Sequence, residues 1–439
     1  MSAAPAQDDR WACRARVAVV AAYLLLALAY TVIIPHGYGP DELRHCDYVR
    51  YVAAHWQLPL TDTPPDGLHP HSQHPPAYYM LLLPFYLASR AAGPTTTYVV
   101  LRLVSVALGL GFVLFTGATV GVLVPRPAWF RWYVAAVVAL LPHFQLYAAV
   151  VHNDALTNTL SAAFLWLAVS RLDAQPPVRL VALLGVLAGI GALTKGSLVV
   201  ALPFVFALVL AARLGLGFWR TPAFWRSTAL LVAIQAAVGG WWYVERLLTF
   251  GSLRLIPPGY ETIPPGVSLS DVLASGLLAR LAWRAIDGLF RSTWAQVGWI
   301  PQPLELAFYA AFALWTLVAL LGFVVFLRQK RIAQDVEHAG RFLVATPILY
   351  YVWVYLWVLY TAVFVHLGHY EGGRYAFPAL GGLALLLALP HLVASSKRLR
   401  LAFGAFTLAL LAAANVASIY NLITHLTPTY APSWHYLFL

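Results

Sequence analysis

The chain has 439 residues, of which 61% are hydrophobic and only 10% charged, with a formal net charge of +11. Soluble globular domains carry about 25% charged residues, so a soluble fold is excluded and a single all-α polytopic membrane domain over 1–439 is expected. The positive charge is read as basic cytoplasmic loops rather than nucleic-acid contacts. Two cysteines, Cys13 and Cys46, flank the first apolar segment and exclude a disulfide framework or a Cys-based metal site.

Apolar stretches of spanning length recur at 17–34, 98–124, 132–151, 154–170, 179–194, 198–212, 227–245, 304–327, 342–365, 375–394 and 401–420. The first follows Arg10, Arg14 and Arg16, and no small-residue cleavage site comes after it. It is therefore a retained helix and not a signal peptide. Tyr78 to Ala92 is too short to cross, because a spanning helix needs about 20 residues. If it stays on one side, most Lys and Arg fall in short cytoplasmic loops, as the positive-inside rule requires. The expectation is about eleven transmembrane helices, with juxtamembrane helices in a first extracytoplasmic loop at 35–97. A second large extracytoplasmic loop covers 246–303.

The first outer loop holds Tyr38-Gly-Pro-Asp-Glu42, which opens an amphipathic helix with Tyr48, Val49, Val52 and Trp56 on one face. Pro40 suits the first helical position. Asp41 and Glu42 either complement the helix dipole or supply a general base just above the hydrocarbon. His74-Pro-Pro-Ala-Tyr-Tyr79 enters the short helix, whose N–H groups offer an anion site to which His74 adds a donor. His69, His71 and His74 are also weak candidates for a metal.

Four cations fall at one depth: Arg102, Lys195 in Thr194-Lys-Gly-Ser197, Arg246 after Trp241-Trp242-Tyr243, and Arg374 in Glu371-Gly-Gly-Arg-Tyr375. Any one of them alone would be read as snorkelling to the interface. Together they form a candidate phosphate site. Asn153 and Asp154 read as a helix cap, with Asp154 also able to pair with Lys195. Glu371 beside Arg374 reads as a local ion pair. Ser268 to Leu289 reads as a second amphipathic helix, and Trp294 and Trp299 as an interfacial belt.

The ordered set resembles a known family. It comprises an acidic pair after the first span, His-Pro-Pro-x-Tyr-Tyr, an Arg-led span, Asn-Asp-Ala-Leu, Leu-Thr-Lys-Gly, Trp-Trp-Tyr-x-x-Arg and Gly-Arg-Tyr-x-Phe-Pro. It is similar to the GT-C membrane glycosyltransferases, on the protein O-mannosyltransferase and aminoarabinose transferase branch (family 39-like), from about residue 17 to about 390. The resemblance implies inverting transfer of a sugar from a polyprenyl-phosphate donor to an acceptor hydroxyl outside a bacterial plasma membrane. It implies Asp41, or else Glu42, as the base. Lys195, Arg246 and Arg374 would hold the donor phosphate, with His74 and Arg102 as further ligands and Asn153, Asp154, Glu371 and Tyr375 in support. Leu247 stands where the family usually has Asn after the arginine. The short segment after the last span implies a lipid, glycan or flexible protein acceptor. A divalent metal is compatible with the residues but not required by them. A secondary transporter and a non-catalytic lipid- or glycan-binding protein are the rival readings. The absence of an internal repeat weighs against the transporter.

Overall fold

A computed structural model describes residues 4–61, 63–251, 277–295, 304–328, 340–364 and 372–426. The described residues are helical, with no strand among them. In chain order the helices are α1 (Ala4–Ile33), α2 (Glu42–His55), α3 (Ala77–Ser89), α4 (Pro94–Leu123), α5 (Phe130–Ala139), α6 (Pro142–Ala148), α7 (Asp154–Arg171) and α8 (Val178–Ala192). There follow α9 (Leu198–Leu214), α10 (Pro222–Phe250), α11 (Leu277–Trp294), α12 (Leu306–Arg328), α13 (Gly340–Phe364), a 3₁₀ turn at Gly373–Ala379, α14 (Leu380–Val393) and α15 (Lys397–Asn421).

Seven helical segments among the described residues are long and apolar enough to cross a membrane, and α5, α8 and α9 are shorter apolar helices. Helix occupies most of each stretch expected to span. The stretch 132–151 is the exception to continuity, because it divides into α5 and α6. Pro142 has no N–H to donate and forces Leu141 into an extended conformation at ψ 116°. The carbonyls released by the break are taken by side chains. Asn415 Nδ2 donates to Leu140 O at 2.7 Å, and Gln145 Nε2 donates to Ala139 O.

Small residues bring the helices that carry the site close together. At Gly189 of α8, a Cβ would sit 2.5 Å from Val238 Cβ of α10, and at Gly239 it would sit 2.6 Å from Gly189 O. Such close backbone approach is the usual way helices associate in lipid. Gly373 presses onto the Ser292–Thr293 backbone of α11, and its N–H donates to Ser292 Oγ at 2.9 Å. This contact fixes the turn that carries Arg374.

The 35–97 loop departs from expectation in three respects. Pro40 lies ahead of α2, which begins at Glu42 with Asp41 as its N-terminal flanking residue. The face bearing Tyr48, Val49 and Val52 is buried in the protein instead of lying on a membrane surface, with Tyr48 stacked on Tyr79 at 3.6 Å. Trp56 ends the helix in a left-handed conformation and is 72% exposed. In the second loop, α11 covers the described part of the expected 268–289 helix. Trp294 is buried against Phe312 at 4.3 Å rather than lying in an interfacial belt. Residues 252–276 and Trp299 lie outside the described residues.

Candidate active site

Asp41 precedes α2 at φ 57°, a left-handed conformation that Asp tolerates better than most side chains. Its neighbour Glu42 anchors it. The Glu42 carboxylate is fully buried and accepts from Arg102 Nε at 2.7 Å and Nη2 at 2.6 Å. It also accepts the N–H groups of Gly37, Gly39 and Val151 at 3.0–3.2 Å. Arg102 spends its remaining donors on the carbonyls of Thr31, Ile34 and Pro35. All five guanidinium N–H groups are thereby used within the protein. A buried pair of this kind is tolerable only because each lone pair and proton has a partner. Gly39 is required where the loop turns past α6, because a Cβ there would lie 2.6 Å from Val150. Glu42 and Arg102 thus tie the end of α1 and the start of α2 to α4.

The Asp41 carboxylate itself faces a charged cluster. Arg374 Nη2 donates to Oδ2 at 3.1 Å. His152 Nε2 lies 4.0 Å from the same oxygen, and His71 Nε2 lies 3.7 Å from Oδ1. Burial would raise this carboxyl, but the nearby His71 ring and the Arg374 guanidinium outweigh it and hold it well below the usual carboxylate range. Arg374 also donates to Tyr147 Oη at 2.5 Å, lies 3.8 Å from Asp154 Oδ2, and stacks over the Tyr147 and Tyr375 rings.

Lys195 follows the end of α8 and donates to Asp154 Oδ1, with its ammonium 4.4 Å from the Tyr375 ring centroid. Asp154 and Asn153 open α7 without capping it. Asn153 shows no side-chain cap hydrogen bond, and its Nδ2 donates instead to His74 Nδ1 at 3.1 Å. Two carboxylates and two cations from four distant segments therefore form one network: Lys195–Asp154–Arg374–Asp41.

Arg246 and the entry to α3 have partners of their own. Arg246 is buried beside Trp242 and Phe250, donates to Pro59 O at 3.2 Å and lies 3.3 Å from Glu245. At the entry to α3, the Ala77 N–H is already taken by Leu193 O at 2.8 Å. Glu371 lies outside the described residues.

Comparison with solved structures gives this architecture a name. The chain is similar to ArnT from Cupriavidus metallidurans in the apo state, with a TM-score of 0.51 at 13% identity over 94% of this chain and 77% of that one. Against the same protein bound to undecaprenyl phosphate, the TM-score is 0.50 at 14% identity, over 93% and 76% of the two chains. The fold is that of the GT-C glycosyltransferases. The Archaeoglobus fulgidus oligosaccharyltransferase tethered with an acceptor peptide containing the NVT sequon matches with a TM-score of 0.50 at 13% identity, over 92% of this chain and 55% of that one. No protein-family model and no curated protein matches the sequence.

On this GT-C fold, the His69–His71–His74 grouping does not assemble a metal site. His71 turns to Asp41, His74 to Asn153, and the His69 N–H to Asp47 Oδ2 at 3.1 Å. Among the described residues, no group of three or more His, Cys, Asp and Glu side chains is arranged to hold a metal ion. Sequence reasoning missed His45, Tyr147 and His152. His45 and His152 pack with ring centroids 4.4 Å apart, next to Asp41. Burial pushes both rings, and His74, well below the ordinary histidine value, and the adjacent cations and histidines add to that effect. For His152 a signal was present: it directly precedes Asn153-Asp154 at the start of α7.

Proposed function

We propose that this protein is a membrane glycosyltransferase that moves a sugar from a polyprenyl-phosphate donor to an acceptor hydroxyl on the extracytoplasmic face of a bacterial plasma membrane. The observation that carries the reading is the convergence of Asp41, Arg374, Lys195 and Asp154 in one largely buried network. Asp41, the proposed base, contacts Arg374, which Asp154 links to Lys195, and the two cations suit a phosphate leaving group.

In the proposed reaction, Asp41 takes the proton from the acceptor hydroxyl. The acceptor oxygen bonds to the anomeric carbon from the face opposite the phosphate. The bond from that carbon to the phosphate oxygen breaks, with configuration inverted. Polyprenyl phosphate leaves with the electron pair, and Arg374 and Lys195 stabilise its growing charge, so no acid is needed for departure. Asp154 and the Tyr147 and Tyr375 rings hold the two cations in place. Glu42 and Arg102 position the loop. The ArnT structure bound to undecaprenyl phosphate supports a lipid-phosphate donor for this fold. A lipid, glycan or flexible protein segment is the proposed acceptor.

The test is direct. Lipids that copurify with the protein are identified by mass spectrometry, and transfer is then assayed with undecaprenyl-phosphate-linked hexoses and pentoses. A bound polyprenyl phosphate and turnover that is lost in Asp41→Asn are expected. Transport across proteoliposomes with no covalent product would overturn the assignment.

A further inference from the structure

Asp41 poses a difficulty as a base. A carboxylate held at 3.1 Å by Arg374 is a poor proton acceptor, because the guanidinium stabilises its charged form. The donor phosphate would compete for the same guanidinium. Once Arg374 turns to that phosphate, something else must keep the carboxylate aimed.

The two histidines beside Asp41 have the geometry for this task. The Asp154 N–H donates to His152 Nδ1 at 3.0 Å, so that nitrogen is bare and the ring proton sits on Nε2. Nε2 is the atom that faces Asp41 Oδ2 at 4.0 Å. The Gln73 amide donates to His71 Nδ1 at 3.2 Å, which likewise places the proton on Nε2, 3.7 Å from Asp41 Oδ1. The two rings therefore aim neutral N–H groups at the two oxygens of one carboxylate. The His71 Nε2 atom is buried and has no hydrogen-bond partner among the described residues. Both separations exceed a hydrogen bond, so about 1 Å of approach remains to be closed.

The surroundings of His152 keep its ring uncharged. His152 is 2% exposed and meets His45 of α2, Tyr147 of α6, Asp154 of α7, and the nearby charges of Arg374, Lys195 and Asp41. His71 meets the His45 and His74 rings at 5.2 and 4.9 Å, besides Gln73 and Asp41. A neutral donor orients a carboxylate while depressing its basicity far less than a guanidinium does.

We propose that His71 and His152 are paired positioning residues that take over Asp41 from Arg374 when Arg374 engages the donor phosphate. The proposal rests on the reading of Asp41 as the base. It adds a switch from a charged to a neutral partner, which leaves the carboxylate oriented and free to accept a proton.

The test uses the full-length protein in nanodiscs with ¹⁵N-labelled histidine. Difference spectra against His71→Gln and His152→Gln isolate the two rings. Both are expected as Nε2–H tautomers at neutral pH, with both signals moving on addition of undecaprenyl phosphate as their bonds to Asp41 shorten. A Nδ1–H tautomer at either ring, or signals that stay in place, would overturn the proposal.

A kinetic arm uses the undecaprenyl-phosphate hexose or pentose that the wild type turns over. His71→Leu and His152→Leu each remove a donor and are expected to lower turnover about tenfold and raise the acid limb of its pH profile by about one unit. Glutamine, whose amide N–H reaches the position of Nε2, should restore most of both. Leucine variants with wild-type turnover and pH profile would also sink it. If Asp41→Asn retains full turnover, the base assignment falls. If Asp41→Asn is inactive while the histidine results fail, only the clamp falls.

Discussion

Replacing Asp41 with Asn should uncouple donor binding from transfer, tightening the first while abolishing the second. The substitution keeps side-chain size and tolerance of the left-handed backbone at φ 57°, so it removes charge without straining the loop. In the wild type, Arg374 must leave Asp41 to reach a phosphate. A hydrogen bond between charged groups is worth about 1.5–3 kcal/mol. The lower end applies here, because Asp41 is 25% exposed and Arg374 keeps Tyr147 and Asp154 as partners. Loss of about 1.5 kcal/mol of competition corresponds to about tenfold tighter binding. Loss of the negative charge beside the incoming phosphate acts in the same direction. Thermophoresis with undecaprenyl phosphate in nanodiscs measures the Kd, and turnover is followed in parallel. Binding that is weaker than or equal to wild type would refute the idea that Asp41 competes with the phosphate for Arg374.

Other expectations follow from the same contacts. Glu42→Gln or Arg102→Leu leaves a buried charge without its partner and should cost about 3–5 kcal/mol of stability, read as a large fall in melting temperature. A melting curve like that of the wild type would show that the pair does not hold the loop. Gly189→Leu inserts a side chain where Val238 already stands and should destabilise the α8–α10 contact by about 1–3 kcal/mol, measurable by thermal unfolding in detergent. Stability should also fall on acidification. Burial, assisted by Arg102, pushes His36 down to about 4, and His45, His74 and His152 lie well below their ordinary value. The unfolded chain therefore binds more protons below about pH 6.5, so stability is highest above that value and declines as pH drops towards 4. A melting temperature that is flat or rising between pH 7 and 5 would contradict these buried neutral rings.

Several features could be read before any fold was known, because they depend on local chemistry. Long apolar stretches can satisfy their backbone in lipid only as helices, so the all-helical membrane architecture follows from composition. The Lys195–Asp154 pairing was also legible, since both groups sit at ends of spans expected on one face of the membrane. The ordered motifs, from the acidic pair to Gly-Arg-Tyr, carried the GT-C resemblance that the fold bears out.

Tertiary structure decided which of two adjacent acids faces the cluster. Asp41 and Glu42 are equivalent in pattern. A left-handed backbone at Asp41 and the Arg102 guanidinium, 60 residues away from Glu42, send their carboxylates to different partners. The same holds for the four cations at one depth. Arg374 and Lys195 converge, whereas Arg102 and Arg246 are absorbed by Glu42 and by Pro59 with Glu245. His152, which follows the break at Pro142 and the short α6, stands 4.0 Å from Asp41, a neighbour that hydropathy does not reveal. Hydropathy reports how far along the membrane normal a residue lies. Which charges then meet is fixed by the way helices rotate and pack, and by small residues such as Gly189 and Gly373 that let backbones touch.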